Sequence, residues 1–177
     1  ANDNLGWSVA SDDVNNDGEQ DLIMGAPGAD TVYVLWHTIL NAGVTINMAS
    51  PPAGTKTLTG TAGSGFGKAV SGAGNFDGTA GAEVIVGAPN ASSDEGKAYV
   101  YNGAGGMTNT PYLTMSMSGG INTTLGYAVS SAGDFDGTGP YEIAVGAPGN
   151  ASLGGPGSGV VYVVPSQTSG SIDMLTD

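Results

Sequence analysis

A chain of 177 residues with 32 glycines, 40% apolar residues and only 11% charged ones is turn-dense and β-rich, with apolar content enough for a core. Three Lys/Arg against sixteen Asp/Glu, a formal net charge of −13, exclude nucleic acid and anionic membrane surfaces as partners, since both are held by basic side chains. The absence of cysteine excludes disulfides and thiolate metal sites, and no apolar run approaches the ~18 residues of a membrane span.

In chain order, a first strand is predicted over residues 6–11, opened by Leu5 and Gly6. It runs into a nine-residue loop from Asp13 to Asp21, which places side-chain oxygens at positions 1, 3, 5 and 9 (Asp13, Asn15, Asp17 and Asp21) and Gly18 at position 6. A second strand over 21–25 leads to Gly25-Ala26-Pro27, and the β-branched and aromatic run over 30–36 reads as a third. The irregular stretch 37–55 is expected to hold an extra hairpin or surface loop before a fourth strand near 56–60.

The same order returns after Phe66 and Gly67, with a loop carrying Asn75, Asp77, Thr79 and Glu83, then Gly87-Ala88-Pro89, a strand at 97–101 and a fourth near 112–118. It returns again after Leu125 and Gly126, with Asp134, Asp136, Thr138 and Glu142, then Gly146-Ala147-Pro148, a strand at 159–164 and a fourth near 171–176. The opening glycines lie 61 and 59 residues apart. A fixed period of this size means one supersecondary unit repeated, and four strands in each unit is the pattern of propeller blades. The units are 1–60, 61–118 and 119–177.

The loops have the chemistry of a hard-cation site. Side-chain oxygens at positions 1, 3, 5 and 9, with the backbone carbonyl at position 7 (Glu19, Gly81 or Pro140), approach the shell of roughly six to eight oxygens that Ca²⁺ takes. The glycine at position 6, Gly18 or Gly139, is expected to make the tight turn. Up to three Ca²⁺ are expected, the second loop binding least because Asn75 and Ala80 stand where the others have Asp and Gly. Eight of the sixteen carboxylates sit at these positions, so three cations would bring the net charge from −13 to about −7. An EF-hand is excluded, because position 12 of the first loop is Met24 and strands flank it. A single such loop could be an Asp/Asn/Gly turn that binds nothing; three in register argue for metal.

Phe-Gly at the opening, a D-x-[DN]-x-D-G-x-x-D loop and Gly-Ala-Pro beyond it resemble the FG-GAP repeat of integrin α-subunit β-propellers and their bacterial relatives. The resemblance covers the whole chain three times over, with Leu for Phe in the first and third copies and a weakened second loop. It implies an all-β fold of three four-stranded antiparallel β-propeller blades, part of a larger or oligomeric propeller. It also implies a structural or adhesive role rather than catalysis. Loops of this kind fill at millimolar external calcium, which favours a secreted or cell-surface location. No signal peptide is visible, as expected of a processed chain.

Nothing in the sequence marks a catalytic centre: it has no G-x-S-x-G elbow, G-x-G-x-x-G turn, P-loop or H-E-x-x-H. The single histidine, His37, reads as an ordinary surface or edge residue. Trp7, Trp36, Tyr127 and Tyr141 are candidates for stacking on sugars, which keeps a lectin-type propeller as the alternative function; blade packing is the plainer reading. The acceptor patterns at Asn90, Asn122 and Asn150 read as chance matches, and there is no Arg-Gly-Asp. A three-blade arc exposes two unlike faces, so the expected partner is the chain itself, joined head to tail. A homodimeric ring ranks first and an open polymer second, followed by neighbouring propeller blades. Another extracellular protein or a glycan is a further candidate.

Overall fold

The computed structural model describes residues 3–39, 45, 47–104, 106–151, 155 and 157–175. Among these residues there are twelve strands: β1 (Ser8–Asp12), β2 (Asp21–Ala26), β3 (Thr31–Leu35), β4 (Lys56–Thr59), β5 (Ala69–Gly72), β6 (Val84–Ala88), β7 (Lys97–Tyr101), β8 (Leu113–Ser116), β9 (Ala128–Gly133), β10 (Glu142–Ala147), β11 (Val160–Val164) and β12 (Gly170–Asp173). No strand forms among the described residues of 37–55, where a 3₁₀ turn at His37–Ile39 is followed by turns at 48–49 and 53–54; residues 40–44 and 46 lie outside the described set. Thr176, the expected end of the last strand, and Ser152 of the Asn150 acceptor pattern lie outside it too.

The first blade is an antiparallel meander, β1-β2-β3-β4, as the repeat predicts. The other two sheets correct the expectation of three four-stranded antiparallel blades. The third blade holds only β9, β10 and β11, while β12 crosses to the second blade and pairs in parallel with β8, giving a five-stranded sheet. The connection after β11 is anchored on the second blade, where Gln167 N–H donates to Phe76 C=O and Gly170 N–H to Tyr112 C=O. That route lets the partly buried Ile172 and Met174 pack against the second apolar cluster, and β8 supplies β12 with backbone partners.

Two apolar clusters hold the molecule together, and each lies in a seam between successive blades. Val32 and Val34 of the first blade meet Phe66, Val70, Val84 and Val86 of the second. In the next seam Ala98 and Val100 meet Leu125, Ile143 and Val145. Alternation along β6 explains this: Val84 and Val86 turn to one seam and Ile85 to the other. Each fully buried aliphatic or aromatic side chain here contributes roughly 1.5–3 kcal/mol. Phe66 is wedged against Tyr99 and Tyr101, with ring centroids 5.7 and 6.1 Å away.

The signature glycines do two jobs. Within each blade the opening glycine donates its N–H to the carbonyl of the Gly-Ala-Pro glycine: Gly6 to Gly25, Gly67 to Gly87 and Gly126 to Gly146, at 2.9, 3.0 and 3.0 Å. Between blades the backbones touch. A Cβ on Gly25 would stand 2.0 Å from the Gly67 carbonyl oxygen, and one on Gly87 would stand 1.9 Å from that of Gly126, so no other residue fits either place.

Candidate metal loops

Each acidic loop joins the first two strands of its blade, and one hydrogen-bond scheme recurs. The position-9 carboxylate closes the loop on the N–H groups of positions 2 and 3. Asp21 accepts from Val14 and Asn15 at 3.1 and 3.2 Å, Glu83 from Phe76 and Asp77 at 2.7 and 3.1 Å, and Glu142 from Phe135 and Asp136 at 2.7 and 3.4 Å. The position-3 side chain accepts from the position-5 N–H: Asn15 from Asp17, Asp77 from Thr79 and Asp136 from Thr138. Position 1 caps the turn, with Asp13 accepting from Gly18, Asn75 from Gly78 and Asp134 from Gly139.

The turn begins two residues earlier than glycine placement suggests. Position 4 has positive φ in all three loops, at Asn16, Gly78 and Gly137 (60°, 82° and 73°). Position 6 joins it only at Gly18 and Gly139; in the second loop Gly81, at position 7, takes that role. Asn tolerates the left-handed region because its short polar side chain bonds locally, which hides the position from a search for glycine.

In the third loop the carboxylates of Asp134, Asp136 and Glu142 each place an oxygen within 4.8 Å of the others. The first loop forms a different group, Asp17, Asp21 and His37, from which Asp13 is absent because its oxygens are turned onto the Asp17 and Gly18 amides. His37, expected as an ordinary surface or edge residue, is half-buried just past the end of β3, beside two of these carboxylates. Its N–H donates to Asp21 Oδ1 at 2.9 Å, and its Nδ1 lies 3.1 Å from Asp17 Oδ2. The hairpin carries the signal, since Leu22 pairs with Leu35, the register sets Asp21 opposite Trp36, and His37 one residue further on donates back to the Asp21 carboxylate. The second loop offers only two carboxylates, Asp77 and Glu83. Of the position-7 residues, Glu19 donates its N–H to Asp17, Gly81 abuts the Val14 carbonyl, and Pro140 precedes β10.

Electrostatics differ among the loops in the same way. Burial pushes the Glu83 carboxyl up to about 7, with the Asp77 charge adding and the two amide bonds opposing; its Oε1 is buried with no hydrogen-bond partner. Burial also raises Asp21, against the amides of His37, Asn15 and Val14. For Asp17 some desolvation raises the carboxyl, but the Asn15 amide, the Glu19 N–H and His37 outweigh it and the net shift is downward. The Thr138 hydroxyl and N–H hold Asp136 low. Clustered carboxylates and an orphaned buried carboxylate oxygen fit a hard divalent cation, which takes oxygen ligands and repays the desolvation of charge.

The loops are also tied to one another. Ala82 N–H donates to Asp13 C=O at 2.9 Å and Tyr141 N–H to Asn75 C=O at 2.8 Å, in each case position 8 to position 1 of the loop before. Tyr141 lies so close over Gly74 that a Cβ there would meet its ring at 2.1 Å, and Trp36 packs on the first cluster, so both serve blade packing. Trp7 and Tyr127 stay exposed, with the Lys68 ammonium 4.8 Å above the Tyr127 ring.

The FG-GAP repeat family model matches residues 5–35, the first opening, loop and Gly-Ala-Pro together with the third strand. Phosphatidylinositol-glycan-specific phospholipase D of Homo sapiens is 32% identical over 173 residues, covering 89% of this chain and 20% of that protein. Integrin alpha-6 of Homo sapiens is 32% identical over 154 residues, covering 81% of this chain and 12% of its own length. Integrin alpha pat-2 of Caenorhabditis elegans is 32% identical over 173 residues, with 84% and 14% covered. The chain therefore spans a fifth or less of the length of these relatives. No helix among the described residues is long and apolar enough to cross a membrane.

Proposed function

This chain is an FG-GAP repeat protein with integrin-like, propeller-type blades, and from that premise we propose that it is a calcium-binding structural or adhesive module that works outside the cell or at its surface. The observation that carries the reading is the third loop, where Asp134, Asp136 and Glu142 converge in a conformation that the other two loops repeat. Calcium there would be held by Asp134, Asp136, Thr138 and Glu142 with the Pro140 carbonyl. In the first loop Asp13, Asn15, Asp17 and Asp21 with the Glu19 carbonyl would hold it, and in the second Asn75, Asp77, Thr79 and Glu83 with that of Gly81. The cation would cross-link the first two strands of each blade and neutralise charge that the fold brings together. It has no part in chemistry, and the reading is of a non-enzyme; the phospholipase D activity in the name of one relative belongs to that much longer protein.

Calorimetric titration of the chelator-treated protein with CaCl₂ tests this. Saturable binding that Asp136→Ala weakens supports the reading, and heats equal to dilution overturn it. Magnesium is expected to substitute poorly, because it demands a tighter octahedral shell.

Carbohydrate binding is the second reading, favoured by the exposed Trp7 beside a cleft of about 190 Å³ that Asn4, Lys68 and Asn90 also line. Binding on a glycan array that is lost in Trp7→Ala would select it.

A further inference from the structure

The three loops share their carboxylates, but only the first has an imidazole within reach. In the strand register Leu22 faces Leu35, Val84 faces Tyr101 and Ile143 faces Val164. The place two residues beyond that pair therefore holds His37 in the first blade, Gly103 in the second and Ser166 in the third. His37 is the only histidine of the chain and cysteine is absent, so this is the one place where an imidazole nitrogen or a thiolate could join a metal.

Backbone bonding sets its placement. The His37 N–H donates to Asp21 Oδ1 at 2.9 Å, which anchors the first residue of the 3₁₀ turn beside the loop, and from there the ring reaches Asp17. Its Nδ1 is buried and stands 3.1 Å from Asp17 Oδ2, yet among the described residues it makes no hydrogen bond. A buried nitrogen left in that state costs free energy, and a cation shared by the two atoms removes the cost. Ligand atoms about 2 Å from a zinc ion stand about 3 Å from one another, which is the spacing found here. Asp17, Asp21 and His37 each offer an atom within 4.8 Å of the others. Both carboxylates are oriented from behind. Asn15 Nδ2 donates to Asp17 Oδ2 at 2.8 Å and the Glu19 N–H to Asp17 Oδ1 at 3.0 Å, while Asp21 Oδ2 takes the Val14 and Asn15 amides and Oδ1 takes only the His37 N–H. Outer bonds of this kind fix the direction of metal ligands.

We propose that Asp17, Asp21 and the Nδ1 of His37 form a site for a borderline transition-metal dication of the zinc class. Calcium takes oxygen ligands, whereas imidazole nitrogen suits zinc and its neighbours. Three protein ligands leave the remaining position to water. Asp13 stays outside the group, its oxygens given to the Asp17 and Gly18 amides. Zinc here uses two of the carboxylates assigned above to calcium, so the site rests on the metal reading of the first loop and changes its ion. The third loop, with oxygen donors alone, keeps the preference for a hard cation, and one repeated turn serves two kinds of metal.

The test is calorimetric titration of the full, untagged, chelator-stripped chain with ZnCl₂, beside ¹⁵N NMR of the imidazole. With a single histidine in the chain, the ring signals belong to His37 without further assignment. One tight Zn²⁺ site is expected, with an Nδ1 resonance that moves on addition of one equivalent. His37→Gln is expected to weaken zinc binding by about tenfold or more. Its circular dichroism should match wild type, because the ring is half-buried and the backbone N–H bond to Asp21 remains. Asp136→Ala, in the third loop, should keep the wild-type zinc affinity. Heats equal to dilution, an Nδ1 signal that ZnCl₂ leaves in place, or zinc binding that His37→Gln does not weaken overturns the proposal and leaves His37 and Asp17 as an ion pair only. A CaCl₂ titration of the same sample separates the two readings. Calcium binding without zinc binding removes this site and leaves the calcium module standing; zinc binding without calcium binding does the reverse.

Discussion

The second and third loops share a fold and differ in charge. Both close on a position-9 glutamate that accepts the amides of positions 2 and 3, and both bridge position 3 to a threonine. The third brings three carboxylates together near the surface, with Asp134 and Asp136 exposed. The second has Asn75 in place of one of them, and its glutamate, buried like Glu142, keeps one oxygen unpartnered. Loop shape is therefore set by backbone amides and a carboxylate at position 9, whereas the capacity to hold a divalent cation is set by charges the loop does not need for its shape. A cation gains most where carboxylates repel, and the loop gains most where a carboxylate is stranded.

Removing calcium from the whole protein is expected to have the largest effect. A ligand bound only by the folded state adds about 2.7 kcal/mol per site at a hundredfold excess over Kd, so chelation should lower the melting temperature by several degrees. An identical melting curve with and without chelator would contradict the metal reading. Next comes the pH dependence of the chelator-treated protein. Glu83 has a raised pKa, about 7 against an ordinary 4.5, so the folded state binds more protons between those values than the unfolded one. Its contribution is fully present below about pH 4.5 and is lost as pH rises through 7, by about 3 kcal/mol at most. Glu83→Gln should flatten that part of the stability curve, which urea titration at several pH values would measure. Saturating calcium should flatten it as well.

Asp136→Ala should then remove about one site's worth of stabilisation in calcium, about 2.7 kcal/mol at the same excess, on top of a smaller loss in chelator from the unpaired Thr138 amide and hydroxyl. Calorimetric stoichiometry should fall by one site. Asp17→Ala is expected to do the same for the first loop, with an added loss in chelator because Asn15 and Glu19 lose their partner. Asn75→Ala should have the smallest effect, about 1 kcal/mol through the lost Gly78 cap, with the smallest added loss in calcium because the second loop is expected to bind least. Asn75→Asp sharpens the comparison from the other side, since it gives the second loop the third carboxylate and should raise its affinity in titration.

Strand positions and the three loops were legible in the sequence because they are local. Alternation and a fixed period place β1 to β11 close to their expected ranges, and the Gly-Ala-Pro register finds every loop. The partner of β12 was not legible. Gly170–Asp173 is a short strand whose own composition does not choose between β11 and β8; the choice is made by Gln167 and Gly170 bonding across to the second blade. His37 escaped for a related reason, because its place beside Asp17 and Asp21 follows from hairpin register rather than from any motif. Asn16 hid a turn position that glycine marks in the other copies.

The departure of β12 leaves a mark on β11. Among the described residues, Val160, Val161, Tyr162, Val163 and Val164 pair with β10 on one side only, and the run contains neither charge nor proline. Natural sheets blunt such margins with lysine, proline or a bulge, and an uncharged run of β-branched residues left open is a template for cross-β stacking. Concentrated or partly unfolded protein is therefore expected to seed fibrils from this segment, and a lysine at position 162 would act as a gatekeeper against that fate.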